Sequence, residues 1–228
     1  MTKFYDRASD IVRQIYDKRI DAPAVLDPQA DFPNAAKFVA RWEDIRDEAK
    51  RAKLETMPRF HDLMPEQADI SANDGRDWRM LILKAYDVDV PENLAKMPIL
   101  ASILAECPEV KSATISTLAP YKHIPRHRGP FRGIMRFHLG LEIPELEDGR
   151  PATVMMINDH EYRIADGEVL LWDDTFPHEV TNNADAPRIC LLLDVWRPRM
   201  PADMEVLSRI IVGAVQIGMR YRGVSYTP

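Results

Sequence analysis

A mainly β chain with α-helical decoration, folded as a jelly-roll or double-stranded β-helix, is the fold class predicted by three features of the 228-residue sequence. The apolar period changes from helical to two at Val110. About eight short alternating runs follow as far as Val195, with irregular turns between them. A helical stripe then returns from Met204 to Met219.

Taken in order, Phe4 to Lys18 reads as a one-sided helix carrying Ile11, Ile15 and Tyr16, with Asp and Arg on its far side. Phe38, Trp42 and Ile45 recur at helical spacing after Asn34, a candidate N-cap. Those aromatics are core residues on this reading. Pro91 to Cys107 is helical but interrupted by Pro98, which predicts a kink or a split. Lys111 to Leu118 begins the strands. Ile134 to Ile143 alternates clearly, with Met135, Phe137, Leu139, Leu141 and Ile143 on one face and Arg136, His138, Gly140 and Glu142 on the other. Such a strand is half core and half site. Val154–Ile157 and Glu161–Ile164 flank a hairpin-like turn at Asn158-Asp159-His160, and Val169–Trp172, Phe176–Val180 and Arg188–Val195 complete the set. The tail stripe is Leu207, Ile210, Ile211, Ala214, Val215 and Met219.

No repeat or low-complexity linker divides the chain, so a single domain over 1–228 is expected: 1–109 mostly helical decoration, 110–198 the β core, 199–228 a C-terminal helix and tail. A hydrophobic fraction of 46% supports a sizeable core, and a net charge of −6 without a Lys/Arg block argues against a nucleic-acid partner. Cys107 and Cys190 lie in apolar runs and read as reduced core thiols, which points to a cytoplasmic setting. No signal segment or membrane-spanning run is recognised.

Chemistry concentrates in four segments: His127-Arg128-Gly129-Pro130, Arg136 to Leu141, Asp173 to Val180, and Arg188 to Pro198. Histidines at two separate strand ends, with arginines on neighbouring strands, suit a ferrous site that also binds a 2-oxo acid. Imidazoles take the metal and a buried cation takes the far carboxylate. The usual facial triad needs Asp or Glu two residues after the first histidine, and here that position is Gly129.

These segments, with Asp77-Trp78 upstream, resemble the aspartyl/asparaginyl β-hydroxylase family over roughly Asp77 to Pro198. That family comprises Fe(II)- and 2-oxoglutarate-dependent oxygenases on a cupin-like double-stranded β-helix, and its best-known member also carries glycine in the carboxylate slot. The resemblance implies His127 and His178 as iron ligands, and Arg188 as the partner of the 2-oxoglutarate distal carboxylate, hydrogen-bonded also by Ser116. It places Arg136 and His138 near the other co-substrate carboxylate or the substrate, with O2 taking an open iron position. Asp173, Asp174 and Glu179 read as solvated turn acids, and His61, His123 and His160 as structural residues in loop or helix contexts.

The expected reaction is hydroxylation of an unactivated C–H bond of an aspartyl/asparaginyl residue or an amino-acid-like molecule. An acyl-chain 2-hydroxylase is the alternative. The segment from Phe32-Pro33-Asn34 through Trp42 to Ala49, and Asp166-Gly167-Glu168, look like the matching stretches of bacterial lipid A acyl-chain 2-hydroxylases. Halogenation, which a glycine at the third-ligand position also permits, and a barrel without catalysis are the remaining readings. Partners on all active readings are a small-molecule or peptidyl substrate.

Overall fold

The computed structural model describes residues 3–222, with side chains from 7 to 218. Helices and turns dominate the first part: α1 (Lys3–Asp17), then the short strand β1 (Val25–Leu26), α2 (Pro28–Asp31), α3 (Ala35–Val39), α4 (Trp42–Arg51), α5 (Phe60–Leu63) and α6 (Ala68–Ser71). Strand structure starts earlier than the period change at Val110 predicts. β2 (Trp78–Ala85) and its hairpin partner β3 (Val88–Asp89) already belong to the main sheet. The next helix is split by Pro98 into α7 (Pro91–Leu94) and α8 (Pro98–Ala105), because proline is tolerated only in the first turn. Asn34 precedes α3 but makes no side-chain cap; its amide donates to Glu109 at 2.7 Å.

The remaining strands are β4 (Val110–Leu118), β5 (His123–His127), β6 (Ile134–Glu142), β7 (Thr153–Ile157), β8 (His160–Tyr162), β9 (Val169–Trp172), β10 (His178–Asn182) and β11 (Arg188–Trp196), followed by α9 (Ala202–Arg222). They form a seven-stranded sheet, β1-β9-β6-β11-β4-β2-β3, and a four-stranded sheet, β5-β10-β7-β8. The pairs are antiparallel, and the chain passes repeatedly between the two sheets, as a jelly-roll requires. Asn158 and Asp159 alone close the β7–β8 hairpin, at φ 48° and 66°. Two consecutive left-handed residues make a primed turn, whose twist matches the strands, and Asn and Asp tolerate it best after glycine.

Register sorts the main sheet into two faces. Ile189, Leu191, Leu193 and Val195 of β11 lie beside Met135, Phe137, Leu139 and Leu141 of β6 and Ala113 and Ile115 of β4. This face packs under Phe38, Ile45, Ala49, Met97 and Leu100 from the helices, forming the largest apolar core. The opposite face looks toward the small sheet, where Trp78, Leu118, Leu170 and Trp172 meet Ile124, Met155, Ile157 and Val180. Cys107 and Cys190 are buried free thiols, each pushed up to about 11 by burial.

The two terminal helices pack on each other through only part of the expected stripes: Tyr16 of α1 and Leu207 and Ile211 of α9 join the contact, and other stripe residues turn outward. Tyr16 is fully buried against Ser208, its hydroxyl 2.6 Å away, while Ile11 and Ile15 are exposed. In α9 the buried positions are Met204, Ser208 and Val212, and Ile210 is 63% exposed. The Tyr16–Ser208 hydrogen bond sits within an apolar cluster of Tyr16, Phe131, Ile134, Met204 and Val212, with Leu207 and Ile211 packed on it, while Ile11, Ile15 and Ile210 face outward. The side chains of Phe4 and Met219 lie outside the described residues. No described helix is long and apolar enough to cross a membrane.

Candidate functional site

His127 ends β5 and His178 begins β10, and the antiparallel register sets them directly opposite each other. Their ring centroids are 4.1 Å apart. Each Nδ1 lies against the carbonyl of the residue two positions earlier: His127 on Pro125 at 2.8 Å, His178 on Phe176 at 2.9 Å. A carbonyl only accepts, so both Nδ1 atoms carry the proton and both Nε2 lone pairs are free. Burial, foremost, depresses both imidazoles below the ordinary histidine range, His178 far below it. Two neutral imidazoles whose far nitrogens are locked by backbone oxygens match the donor set and supporting shell of a divalent transition metal. Among the described residues no third His, Cys, Asp or Glu completes a three-ligand cluster with them.

The inner face of the main sheet adds the cation. Arg188 is 2% exposed at the start of β11. Its Nε has no partner; a terminal nitrogen lies 3.4 Å from His138 Nδ1, and the guanidinium also reaches the Cys190 thiol. Among the described residues no carboxylate answers it. An uncompensated guanidinium here is costly unless an anion arrives. His138, 4% exposed, is held neutral by burial and then by Arg188 and Arg136, and its Nε2 is also unpartnered. Trp172 bridges these groups, with ring centroids 4.5 Å from His178 and 5.6 Å from His138, and its Nε1 is buried without a partner. Ser116 faces the same side, paired in register with Cys190, and its hydroxyl oxygen accepts from Trp78 Nε1 at 3.0 Å. That leaves the Ser116 proton free to donate to an incoming oxyanion beside Arg188.

Arg136 is on the same face but already engaged. It meets Asp194 at 3.0 Å and Asp174 at 3.4 Å. Burial opposes its charge, and the two carboxylates outweigh that and raise its pKa. The sequence reading did not foresee Asp194, though Arg136 and Asp194 are cross-strand partners on β6 and β11.

The expectation that Asp173 and Asp174 are solvated is overturned, as both are buried at 0% and 4% exposure. Asp173 is the hub of a closed network. Arg197 reaches it at 2.6 Å, Arg132 at 3.0 Å, and the Thr175 amide and hydroxyl at 3.0 and 2.6 Å. This network holds the turn that leads into His178. Asp174 is less satisfied: its Oδ1 is unpartnered, and burial pushes its carboxyl up to about 6 against the pull of Arg136. It also explains the glycine two residues after His127. A Cβ on Gly129 would lie 2.1 Å from Asp174 Oδ1, so the space next to the histidine pair is taken by a carboxylate from another segment. The Gly129 amide donates to the Asp174 carbonyl at 2.7 Å, drawing the two backbones together.

His123, expected in a loop, lies in β5 opposite Thr181, with its Nδ1 2.9 Å from the Thr181 hydroxyl. His61 stays in α5 and exposed His160 opens β8, away from the pair.

Residues 39–198 match the model of the aspartyl/asparaginyl beta-hydroxylase family. The chain is 31% identical over 79% of its length to an ornithine lipid ester-linked acyl 2-hydroxylase of Rhizobium tropici, spanning 63% of that protein. It is 28% identical over 70% of its length to the aspartyl/asparaginyl beta-hydroxylase of Homo sapiens, spanning 20% of that much longer chain. Among solved structures it is similar to a cupin domain of an XRE family transcriptional regulator from Enterobacter cloacae, at 14% identity and a TM-score of 0.36, over 54% of this chain and 98% of that one.

Proposed function

Because the chain belongs to the aspartyl/asparaginyl β-hydroxylase family, we propose that it is an Fe(II)- and 2-oxoglutarate-dependent hydroxylase. The observation that carries this reading is the opposed pair of neutral imidazoles with free Nε2 atoms, set near a buried arginine that lacks an anion. His127 and His178 would hold the iron. Arg188 would pair with the distal carboxylate of 2-oxoglutarate, with Ser116 donating a second hydrogen bond. When bound, iron with 2-oxoglutarate and O2 supplies an oxidant for an unactivated C–H bond, the 2-oxo acid leaving as succinate and CO2. His138 and Trp172 wall the co-substrate position and offer it N–H and ring-edge contacts. Asp174 and Arg136 stand beside the histidine pair as a charged couple that excludes a third side-chain ligand from position 129.

The substrate on this reading is an aspartyl/asparaginyl residue or an amino-acid-like molecule. An acyl chain of a lipid is the second reading, favoured by the 31% identity to an acyl hydroxylase over most of the chain. Anaerobic titration with Fe(II) and 2-oxoglutarate should give a weak visible charge-transfer band that His178→Ala abolishes. No band in the natural protein, or an unchanged band in the variant, defeats the assignment. Incubation with a panel of amino acids, Asp/Asn peptides and acyl lipids, read by mass for a gain of one oxygen, separates the two substrate classes.

A further inference from the structure

Three arginines gather where the His127 segment meets α1 and the Asp173–His178 turn. Arg13 donates to the Gly129 carbonyl at 2.8 Å and pairs with Asp10 at 2.5 Å. Arg132 pairs with Asp173 at 3.0 Å and Asp17 at 3.2 Å. Arg128 is the one without a carboxylate. Its Nε donates to the Thr175 carbonyl at 2.5 Å, and among the described residues no acid lies within ion-pair distance. The residue is exposed, and its guanidinium is destabilised first by partial desolvation and then by Arg13 and Arg132, with Asp17 and Asp10 acting in the opposite sense from beyond ion-pair distance.

Its placement ties it to both halves of the histidine pair. Arg128 follows His127 directly, about 3.8 Å away between Cα atoms. Its anchor, Thr175, lies three residues before His178. The single Nε bond suffices to staple the loop to the turn, which is the purely structural role. Among the described residues nothing engages the terminal nitrogens of the fork, and a planar guanidinium edge fits two oxygens of a carboxylate or phosphate.

We propose that Arg128 receives an anionic group of the substrate, a carboxylate or a phosphate, and thereby sets which molecules are presented to the site. The inference rests on the hydroxylase reading only for the presence of a reacting centre beside it. Arg188 is excluded from this task by its burial on the inner sheet face.

Two measurements test it. In the first, the arginine Nε–Hε signals of 15N-labelled protein are followed during titration with sodium phosphate and, separately, sodium acetate at constant ionic strength. The Arg128 signal, identified by its loss in Arg128→Gln, should shift and saturate. No saturable shift with either anion overturns the proposal. In the second, turnover is compared on an aspartyl peptide, a lipid with a carboxylate head group and a lipid with a phosphate head group, each beside its neutral ester. Arg128→Gln should raise KM for the preferred anionic substrate about tenfold or more, as loss of a charge-assisted hydrogen bond does. The neutral ester and 2-oxoglutarate should keep their KM, and Arg128→Lys should recover part of the loss. The affected arm identifies the source of the anion. An equal KM rise on the neutral ester would reduce Arg128 to a structural staple. If the iron chromophore is missing while the Arg128 signal still saturates, the hydroxylase reading fails and the anion site stands.

Discussion

The two faces of the seven-stranded sheet are built from the same strands and differ in almost everything else. The outer face of β6 and β11 carries Met135, Phe137, Leu139, Leu191 and Leu193, all at 0–1% exposure and covered by helices. The inner face of those strands carries Arg136, His138 and Arg188, of which the last two keep buried polar atoms without partners. Period-two alternation lets one strand serve both purposes, since neighbouring residues never share an environment. The lesson is that stability and chemistry are separable here residue by residue. Well-packed apolar side chains fund the fold on one side, and the other tolerates groups that only a ligand can satisfy.

The largest effects should come from breaking each face in turn. Leu191→Ala should lower the unfolding free energy by about 2–5 kcal/mol, as cavity-forming core changes do, measured by denaturant titration. The 2-oxoglutarate requirement should stay as it was. Arg188→Met should do the converse. The concentration of 2-oxoglutarate needed for turnover should rise tens- to thousands-fold, corresponding to about 2–5 kcal/mol, while the apo protein is as stable as before or more so. Loss of stability in Arg188→Met would mean that the cation is satisfied in the folded apo protein, contrary to its burial with an unpartnered Nε.

A pH series sharpens the contrast. The Asp174 carboxyl is raised from 3.8 to about 6, so the folded state holds its proton more tightly than the unfolded chain. Its stabilising contribution is therefore present below about pH 4 and lost as pH rises through about 6, a loss of about 3 kcal/mol at most. His127, His138 and His178 are depressed, so they act oppositely: they cost stability as pH falls below the ordinary histidine range. Asp174→Asn should make the apo protein more stable at pH 7 and leave a steeper decline on acidification. A variant no more stable at pH 7 would show that Arg136 fully compensates the carboxylate.

The smallest effect is steric. Gly129→Ala should destabilise by about 1–3 kcal/mol, because the added methyl meets the Asp174 carboxylate. Asp174→Ala in the same chain should recover most of that. Absence of such coupling in a double-mutant cycle would mean that the two segments separate freely.

Much of this was legible in sequence because it is local. The alternation in Ile134–Glu142 announced a strand with a core face and a site face, and Pro98 announced the helix break. The histidines carry their own signal, sitting in motifs of matching order and spacing. What escaped depends on approaches between distant segments. β2, with the sequence WRMLILKA, is a short apolar run that periodicity cannot distinguish from helix. Asp174 looked like a solvated turn acid because nothing local reveals that Gly129 makes room for it 45 residues earlier. The exposure of Ile11, Ile15 and Ile210 was missed because the terminal helices meet each other and Phe131 and Ile134 over a narrower strip than the apolar stripes suggest.

The carbonyls of Pro125 and Phe176 have one more consequence, which concerns proton inventory. Each locks its histidine into the tautomer that presents Nε2, and burial keeps both rings neutral at pH 7. If the pair takes a metal as proposed, uptake at neutral pH should displace no proton from either histidine, and its heat should be independent of the ionisation enthalpy of the buffer. On the hydroxylase reading, the work of deprotonating and aiming His127 and His178 would thus be done during folding, before any ion arrives.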